Sequence, residues 1–259
     1  SRKRQSLVSL LGIILGVAFF LTISSLMQGS EKDFIRRLID NVPHVFVVDQ
    51  YRNPRKQPVE LLYPKGAVEI RSVKPETETR GIRGYEQIIE YLHSLAGIQA
   101  SPVLEGQGVL SFAGKNVAIS MDGMIPEDIS DVVTIQDYMV SGSINDLIIN
   151  PDGIVLGEEL TRTFSLTKGD NVTVTSPTGQ VRTFKILGIF RTGRSEYDLN
   201  HAFVSLKRMQ ALLDRPHRAN TIIIKLANPY NARDMASDLE NLIGYKSVSW
   251  QETSEDIMN

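Results

Sequence analysis

A long uncharged run near the start of the chain sets the first constraint on its structure. No charged residue lies between Gln5 and Ser30, and residues 7–27 are mostly Leu, Ile, Val, Phe, Gly and Ala. As an α-helix rising ~1.5 Å per residue, Ser6–Gln28 would extend roughly 35 Å, which exceeds the ~30 Å hydrocarbon core of a bilayer. The run is therefore long enough to cross a membrane.

Three interpretations of this run compete: a cleaved secretory signal, a helix buried in a soluble core, and a permanent membrane span. A signal peptide has an apolar core of only about 7–15 residues before a small-residue cleavage site. Here the apolar residues continue through Leu26 and Met27, and no A-x-A pattern follows. A buried helix of a soluble protein usually has a polar stripe, which this run lacks. We therefore predict a transmembrane helix over residues 6–28.

The charges that flank the run predict its orientation. Arg2, Lys3 and Arg4 precede it, whereas residues 31–33 after it carry two acidic side chains and one basic one. Membrane helices keep the Lys- and Arg-rich flank in the cytoplasm. We expect residues 1–5 to form a cytoplasmic flank and the residues after about 30 to lie outside.

Two further features concern the helix itself. Gly12 and Gly16 form a G-x-x-x-G pair, which lets a second helix approach closely. Glycine is common in membrane helices in any case, so a packing role and no role both stay open. Residues 31–40 have amphipathic helical spacing, and no proline occurs before Pro43. We expect one continuous helix that leaves the bilayer and ends at about residue 40.

Composition and motifs give no sign of catalysis. With 28 Lys and Arg, 30 Asp and Glu and a net charge of −2, the chain has no general attraction to nucleic acid. The absence of cysteine excludes disulfides, thiolate metal sites and a cysteine nucleophile. The four histidines lack metal-binding spacing, and no G-x-S-x-G, S-x-x-K or phosphate-binding loop occurs. We predict a chain that is not an enzyme and has no cofactor or metal site.

The remaining sequence predicts a mixed domain. Strand and helix units occur at both ends, and antiparallel hairpins fill the middle, with a turn at residues 113–116 and another at 177–179. An α+β domain interrupted by a mostly β insertion accounts for this order. Residues 51–84 are rich in proline and locally basic, which fits either a solvated loop or a surface that contacts anionic lipid or an acidic partner.

Three stretches together resemble the permease subunits of lipoprotein-releasing (Lol-type) and MacB-like ABC transporters. They are LGIILGVAFFLTISSLMQGSEKDF, GIVLGEELTRTFSLTKGDNVTVTSPTGQVRTFKILGIF and RTGRSEYDLNHAFVSLKRMQALL. The recognisable positions are structural ones: Gly157, Gly169, Asp170, Gly188, Gly193, Tyr197 and Asp198.

The resemblance implies the first span and the periplasmic domain of a bacterial inner-membrane permease with four spans. The implied domain has two lobes: an α/β lobe from residues 29–100 and 216–259, and a mostly β lobe inserted at residues 101–215. The implied partners are membrane lipid, a cytoplasmic ATPase subunit and a second permease copy or paralogue, and a periplasmic partner stays open. ATP hydrolysis in the partner would move the outer domain, for export or for extraction of a lipoprotein or lipid.

One departure from the family bears on the substrate. The family member that hands lipoprotein to a periplasmic carrier has a long hairpin in the region of residues 176–179, and here the turn is short. Docking of a carrier on such a hairpin is therefore doubtful, and the substrate stays open. Two other classes of function also remain: a single-span membrane-tethered sensor or scaffold, and an anchored periplasmic hydrolase.

Overall fold

The computed structural model describes residues 12, 14–27, 42–51 and 81–253, in two compact units, residues 1–41 and 42–259. In the first unit, residues 14–27 form helix α1, whose large apolar side chains are exposed. Among all the residues that the structure describes, no helix combines the length and the apolarity needed to cross a membrane. The ends of the predicted span 6–28 and the predicted helix over 31–40 lie outside the described residues, so both stay predictions.

The second unit alternates strands and helices in the mixed order that the sequence predicts. Its elements are β1 (Val45–Tyr51), α2 (Tyr85–Ser94), β2 (Ile98–Phe112), β3 (Lys115–Met124), α3 (Pro126–Val132), a 3-10 helix (Ile135–Tyr138), β4 (Met139–Ser141), α4 (Asp146–Ile149), β5 (Gly153–Gly157), α5 (Glu158–Phe164), β6 (Asn171–Thr175), β7 (Val181–Phe190), α6 (Ser195–Asn200), β8 (His201–Ser205), α7 (Leu206–Leu213), β9 (Thr221–Leu226), a second 3-10 helix (Pro229–Asn231), α8 (Ala232–Ile243) and β10 (Tyr245–Ser249). The predicted α+β class is confirmed.

The ten strands of the described residues join one sheet, in the order β10-β1-β9-β2-β3-β8-β5-β7-β4, and β6 pairs with both β2 and β7. This double pairing of β6 closes a ring of six strands: β2, β3, β8, β5, β7 and β6. Strand β2 is long enough to belong to two regions, because its first half pairs with β9 and its second half with β6. One strand thus connects the ring to the β10-β1-β9 end of the sheet.

The buried side chains form two clusters on opposite faces of the sheet. Consecutive residues alternate between the clusters, as with Leu104 and Val103 or Val204 and Phe203, because strand side chains point to opposite faces in turn. One cluster includes the inward-facing residues of the ring: Leu110, Ile119, Met121, Ile154, Leu156, Val172, Val174, Phe184, Ile186, Ala202 and Val204. The other lies beneath α3 and α4.

The predicted hairpin over residues 171–190 is present. Val172 pairs with Phe184 and Val174 with Arg182. The turn is closed by the Gly179 amide, which donates to the Ser176 carbonyl at 2.9 Å. On β6 the apolar residues Val172 and Val174 alternate with polar ones, and on β7 Phe184 and Ile186 lie in the same buried cluster, so this register buries one face of the hairpin inside the ring.

The predicted domain boundaries remain predictions. Compactness divides the chain after Asn41, and the second unit is not divided further. The predicted boundary at residues 100/101 falls within β2, which crosses it as a continuous strand. The two lobes that the resemblance implies therefore have no break in the backbone pairing at that point.

Candidate functional site

Asp198 holds the short helix α6 and the loop before it in place. Its side chain is only 2% exposed. Oδ1 accepts from the Thr192 amide at 3.0 Å and from the Thr192 hydroxyl at 2.7 Å, and Oδ2 accepts from the Gly193 amide at 3.2 Å. Three donors therefore compensate a buried carboxylate, which would otherwise be costly to remove from water.

Gly157 lies directly against the backbone of Asp198. Gly157 ends β5 and precedes α5. A Cβ placed on it would overlap the carbonyl oxygen, the carbonyl carbon and the Cα of Asp198. Only glycine allows β5 and α6 to approach this closely, so these two motif positions belong to one packing contact.

Tyr197 on α6 lies beside His201, the first residue of β8. Its ring stacks on that of His201, with centroids 4.2 Å apart and an angle of 15° between the planes. His201 Nε2 donates to Oδ2 of Asp122 on β3 at 2.8 Å, since an ionised carboxylate can only accept. The pKa of Tyr197 is raised, first by burial and then by the negative charge of Asp122. Its hydroxyl therefore stays protonated and is no activated nucleophile.

Glu105 adds a second carboxylate to this surface. It is the cross-strand partner of Asp122 in the β2–β3 ladder. Partial burial raises the pKa of Glu105, and the negative charge of Asp122 raises it further. The charge interaction with His201 lowers this pKa. The charges of Glu105, Asp122 and His201 interact across strands β2, β3 and β8, and the Glu105 carboxylate also accepts a hydrogen bond from Thr221 on β9.

The other motif positions lie away from α6. The Gly169 amide donates to the Ile186 carbonyl at 2.8 Å, with φ at +104°, and Asp170 Oδ2 accepts from the amide and the hydroxyl of Thr167. These contacts form the turn that leads into β6. A Cβ on Gly188 would lie 2.5 Å from Cε of Met139, so this glycine lets β4 pack against β7. The structure thus brings together Gly157, Gly193, Tyr197 and Asp198, and places Gly169, Asp170 and Gly188 elsewhere.

The predicted residues of the N-terminal segment stay predictions. Arg2, Lys3 and Arg4 lie outside the described residues. Gly12 and Gly16 lie in the described part of the chain, and among the described residues no atom beyond the chain neighbours and the backbone of their own helix lies within 4 Å of a Cβ placed on either of them. Both are therefore sterically open to a neighbouring helix.

The sequence did not predict a contact between the first and the last strand of the second unit. His44 lies just before β1, and Trp250 just after β10. The Trp250 amide donates to the His44 carbonyl at 2.9 Å. The sequence predicts no more for His44 than a satisfied core or boundary side chain, and no local pattern connects it with Trp250.

No metal centre is present in the described part of the chain, where no three His, Cys, Asp or Glu side chains are arranged to hold an ion. The polar residues described above are each engaged with backbone amides, hydroxyls or one another. These contacts fix strands, helices and loops to one another.

Comparison with known proteins decides the family. The profile of the MacB-like periplasmic core domain matches residues 6–242, which include the uncharged run, the ring and α6. The chain belongs to this family. The resemblance to Lol-type and MacB-like ABC permeases is therefore confirmed.

Relatives of this MacB-like chain are lipoprotein-releasing system transmembrane proteins LolC. The protein from Neisseria meningitidis serogroup B is 25% identical over 244 residues, which are 90% of this chain and 52% of the relative. The protein from Xylella fastidiosa strain Temecula1 is 27% identical over 243 residues, with the same coverage of both chains. The chain thus spans about half the length of the curated relatives it matches.

A solved structure shows the same fold. The periplasmic region of MacB from Actinobacillus actinomycetemcomitans superposes with a TM-score of 0.53 and 14% sequence identity, covering 85% of this chain and 94% of that one. The fold of the MacB-like periplasmic core domain is therefore shared despite low identity.

Proposed function

We propose that this chain is the first span and periplasmic domain of an ABC transporter permease. One observation carries the proposal: a single family match runs from residue 6 to residue 242, through both the uncharged N-terminal run and the folded domain. The permease itself hydrolyses no ATP and uses no cofactor within this chain. A cytoplasmic ATPase subunit supplies the energy, and a second permease copy or paralogue completes the transporter.

The proposed location is the bacterial inner membrane, with a cytoplasmic N-terminus and a periplasmic domain. The basic residues before the uncharged run support this orientation. Motion of the cytoplasmic subunits would reach the domain through the first span. The cargo is a lipoprotein, a lipid or another amphiphile, by analogy with the LolC relatives, whose name describes lipoprotein release.

Co-purification tests this proposal. The full-length protein, tagged and extracted from its own membranes in mild detergent, should retain an ATPase subunit in near-stoichiometric amount. A control protein carries residues 42–253 on an unrelated membrane span and should retain none. Recovery of the full-length protein without any ATPase, or with a cytoplasmic signalling protein instead, would contradict the proposal and favour the single-span sensor or scaffold.

A further inference from the structure

We propose that His44 and Trp250, with Leu226 and Pro229, form a mechanical clasp that makes the incoming and outgoing segments of the domain move as one body. The clasp is defined by these four residues. The inference rests on the proposed function, because only a domain driven through its connecting segments carries load at this point.

The backbone of His44 joins three parts of the sheet. Its amide donates to the Ile224 carbonyl of β9 at 2.7 Å, and its carbonyl accepts from the Trp250 amide beyond β10 at 2.9 Å. Strand β1 lies between β10 and β9. The residue therefore ties both neighbours of β1 together at the position where the chain enters the sheet.

The side chains of His44 and Trp250 add hydrogen bonds at the end of β9 and just after it. The imidazole of His44 is 2% exposed, and its Nδ1 accepts from the Leu226 amide at 2.9 Å. The Trp250 indole Nε1 donates to the Pro229 carbonyl at 2.9 Å. The Leu226 amide lies beyond the last position of the β1–β9 ladder, and Pro229 begins the 3-10 helix that follows β9. The incoming segment is thus fixed to β9, and the outgoing segment is fixed to the 3-10 helix that follows β9.

The position of the clasp explains why such ties are needed. Because β1 and β10 are antiparallel, the start of β1 and the end of β10 lie at the same end of the ladder. A force that pulls the segment before His44 away from the segment after Trp250 would break the β1–β10 hydrogen bonds one after another. The first bond to break would be the one between the Trp250 amide and the His44 carbonyl. Additional bonds to β9 distribute that force over the sheet, so that the domain moves without its edge strand opening.

The clasp predicts the effect of a disulfide across the ladder. The bond from the Trp250 amide to the His44 carbonyl makes Val45 and Ser249 a non-hydrogen-bonded pair, whose Cα atoms are about 4.5 Å apart in antiparallel sheets. This spacing lies within the range that a disulfide bridges. Residues 1–259 contain no cysteine that could compete for this disulfide.

The first test uses the double variant Val45→Cys/Ser249→Cys in the full-length protein with its partners in lipid nanodiscs. If the clasp stays closed throughout the cycle, the oxidised and the reduced forms should hydrolyse ATP and move cargo at the same rate, within about twofold. Loss of cargo movement on oxidation and its recovery on reduction would overturn the proposal, because β1 and β10 would then have to separate. The two single-cysteine variants are the controls.

The second test needs no ATPase and so separates the clasp from the proposed function. His44→Leu removes the acceptor for the Leu226 amide, whereas His44→Asn keeps a side-chain oxygen near it. Hydrogen exchange in the full-length protein should accelerate about tenfold at the Leu226 and Trp250 amides in H44L and stay near wild type in H44N. Equal exchange in wild type, H44L and H44N would overturn the clasp even if transport is confirmed. Accelerated exchange in a protein that associates with no ATPase would support the clasp and contradict only the transporter.

Discussion

The carbonyl of Asp198 occupies the space that a side chain on Gly157 would need, and the carboxylate of the same Asp198 caps the loop before α6. Two residues far apart in sequence thus fix β5, α6 and the loop between β7 and α6 in one arrangement. The glycine at position 157 therefore has a specific steric cause, the close approach of the Asp198 backbone.

Gly157→Ala should be among the most destabilising small substitutions in the domain. The added methyl group collides with backbone atoms that cannot rotate away, so we expect a loss of about 2 to 3 kcal/mol in the free energy of unfolding. Gly179→Ala is the control, because it has a positive φ of +84° but open space around its Cβ, and should cost about 1 kcal/mol. Urea unfolding of both variants measures the difference; equal losses would show that the close approach is not tight.

Asp198→Asn should loosen the loop before α6. The substitution replaces one acceptor oxygen by an NH₂ group, which faces the Thr192 or Gly193 amide and leaves a buried donor unpaired. We expect a loss of about 1 to 3 kcal/mol. Asp137→Asn, at an exposed position, is the matched control and should change stability by less than ~0.5 kcal/mol. Urea unfolding and hydrogen exchange of the Thr192 amide would both report the change, and a protected amide in D198N would contradict the capping role.

Ionised Glu105 should lower the free energy of unfolding of the domain at neutral and higher pH. Its pKa is raised in the folded protein, so the folded state binds this proton more tightly than the unfolded state does. The resulting stabilisation is fully present below the unfolded pKa, near 4.3, and is lost as the pH rises through the folded pKa. Glu105→Gln should therefore stabilise the protein at pH 7.5 relative to wild type, by a few tenths of a kcal/mol because the side chain is partly exposed to solvent.

The comparison that checks this is unfolding in urea at pH 3.5 and pH 7.5. The advantage of E105Q should appear at the higher pH and vanish at the lower one, and the exposed Glu90→Gln is the control variant. If the gain in unfolding free energy of E105Q over wild type grew as the pH fell, the raised pKa of Glu105 would be contradicted.

A proline in the N-terminal helix should uncouple ATP hydrolysis from transport. Met27 lies in the described helix α1. Met27→Pro removes a backbone donor and bends the helix, at a cost of about 3 kcal/mol, whereas Met27→Ala keeps it straight. In reconstituted vesicles, M27P should assemble with its partner and hydrolyse ATP but move cargo poorly, and M27A should resemble wild type. Undiminished transport by M27P would show that a rigid helix is not needed.

The sequence allowed much of the local structure to be predicted, because its signals are local. The alternation in β6 and β7 with the turn at Ser176–Gly179 predicts a hairpin, and the hairpin is present. The family motif likewise singles out Gly157 and Asp198. Their direct contact was not predictable, since it depends on how β5 and α6 meet in space.

The long-range pairings could not be predicted for the same reason. Strand β6 pairs with β2 as well as with its hairpin partner β7, and this second pairing closes the ring. Likewise, Trp250 meets His44 from the other end of the domain. Such contacts depend on the global arrangement of strands, which no periodicity in one segment encodes. Helix α6 was missed because it is only six residues long and Leu199 is its only aliphatic residue, which is too little to show helical spacing.

ATP-dependent release of cargo from proteoliposomes tests the central claim most directly. The full-length protein and the ATPase subunit that it retains would be reconstituted with a fluorescent lipoprotein, and with a fluorescent lipid in a parallel sample. The account predicts release of at least one of them that requires both proteins and hydrolysable ATP. Release that is unchanged when this protein is omitted, or when ATP is replaced by a non-hydrolysable analogue, would contradict it.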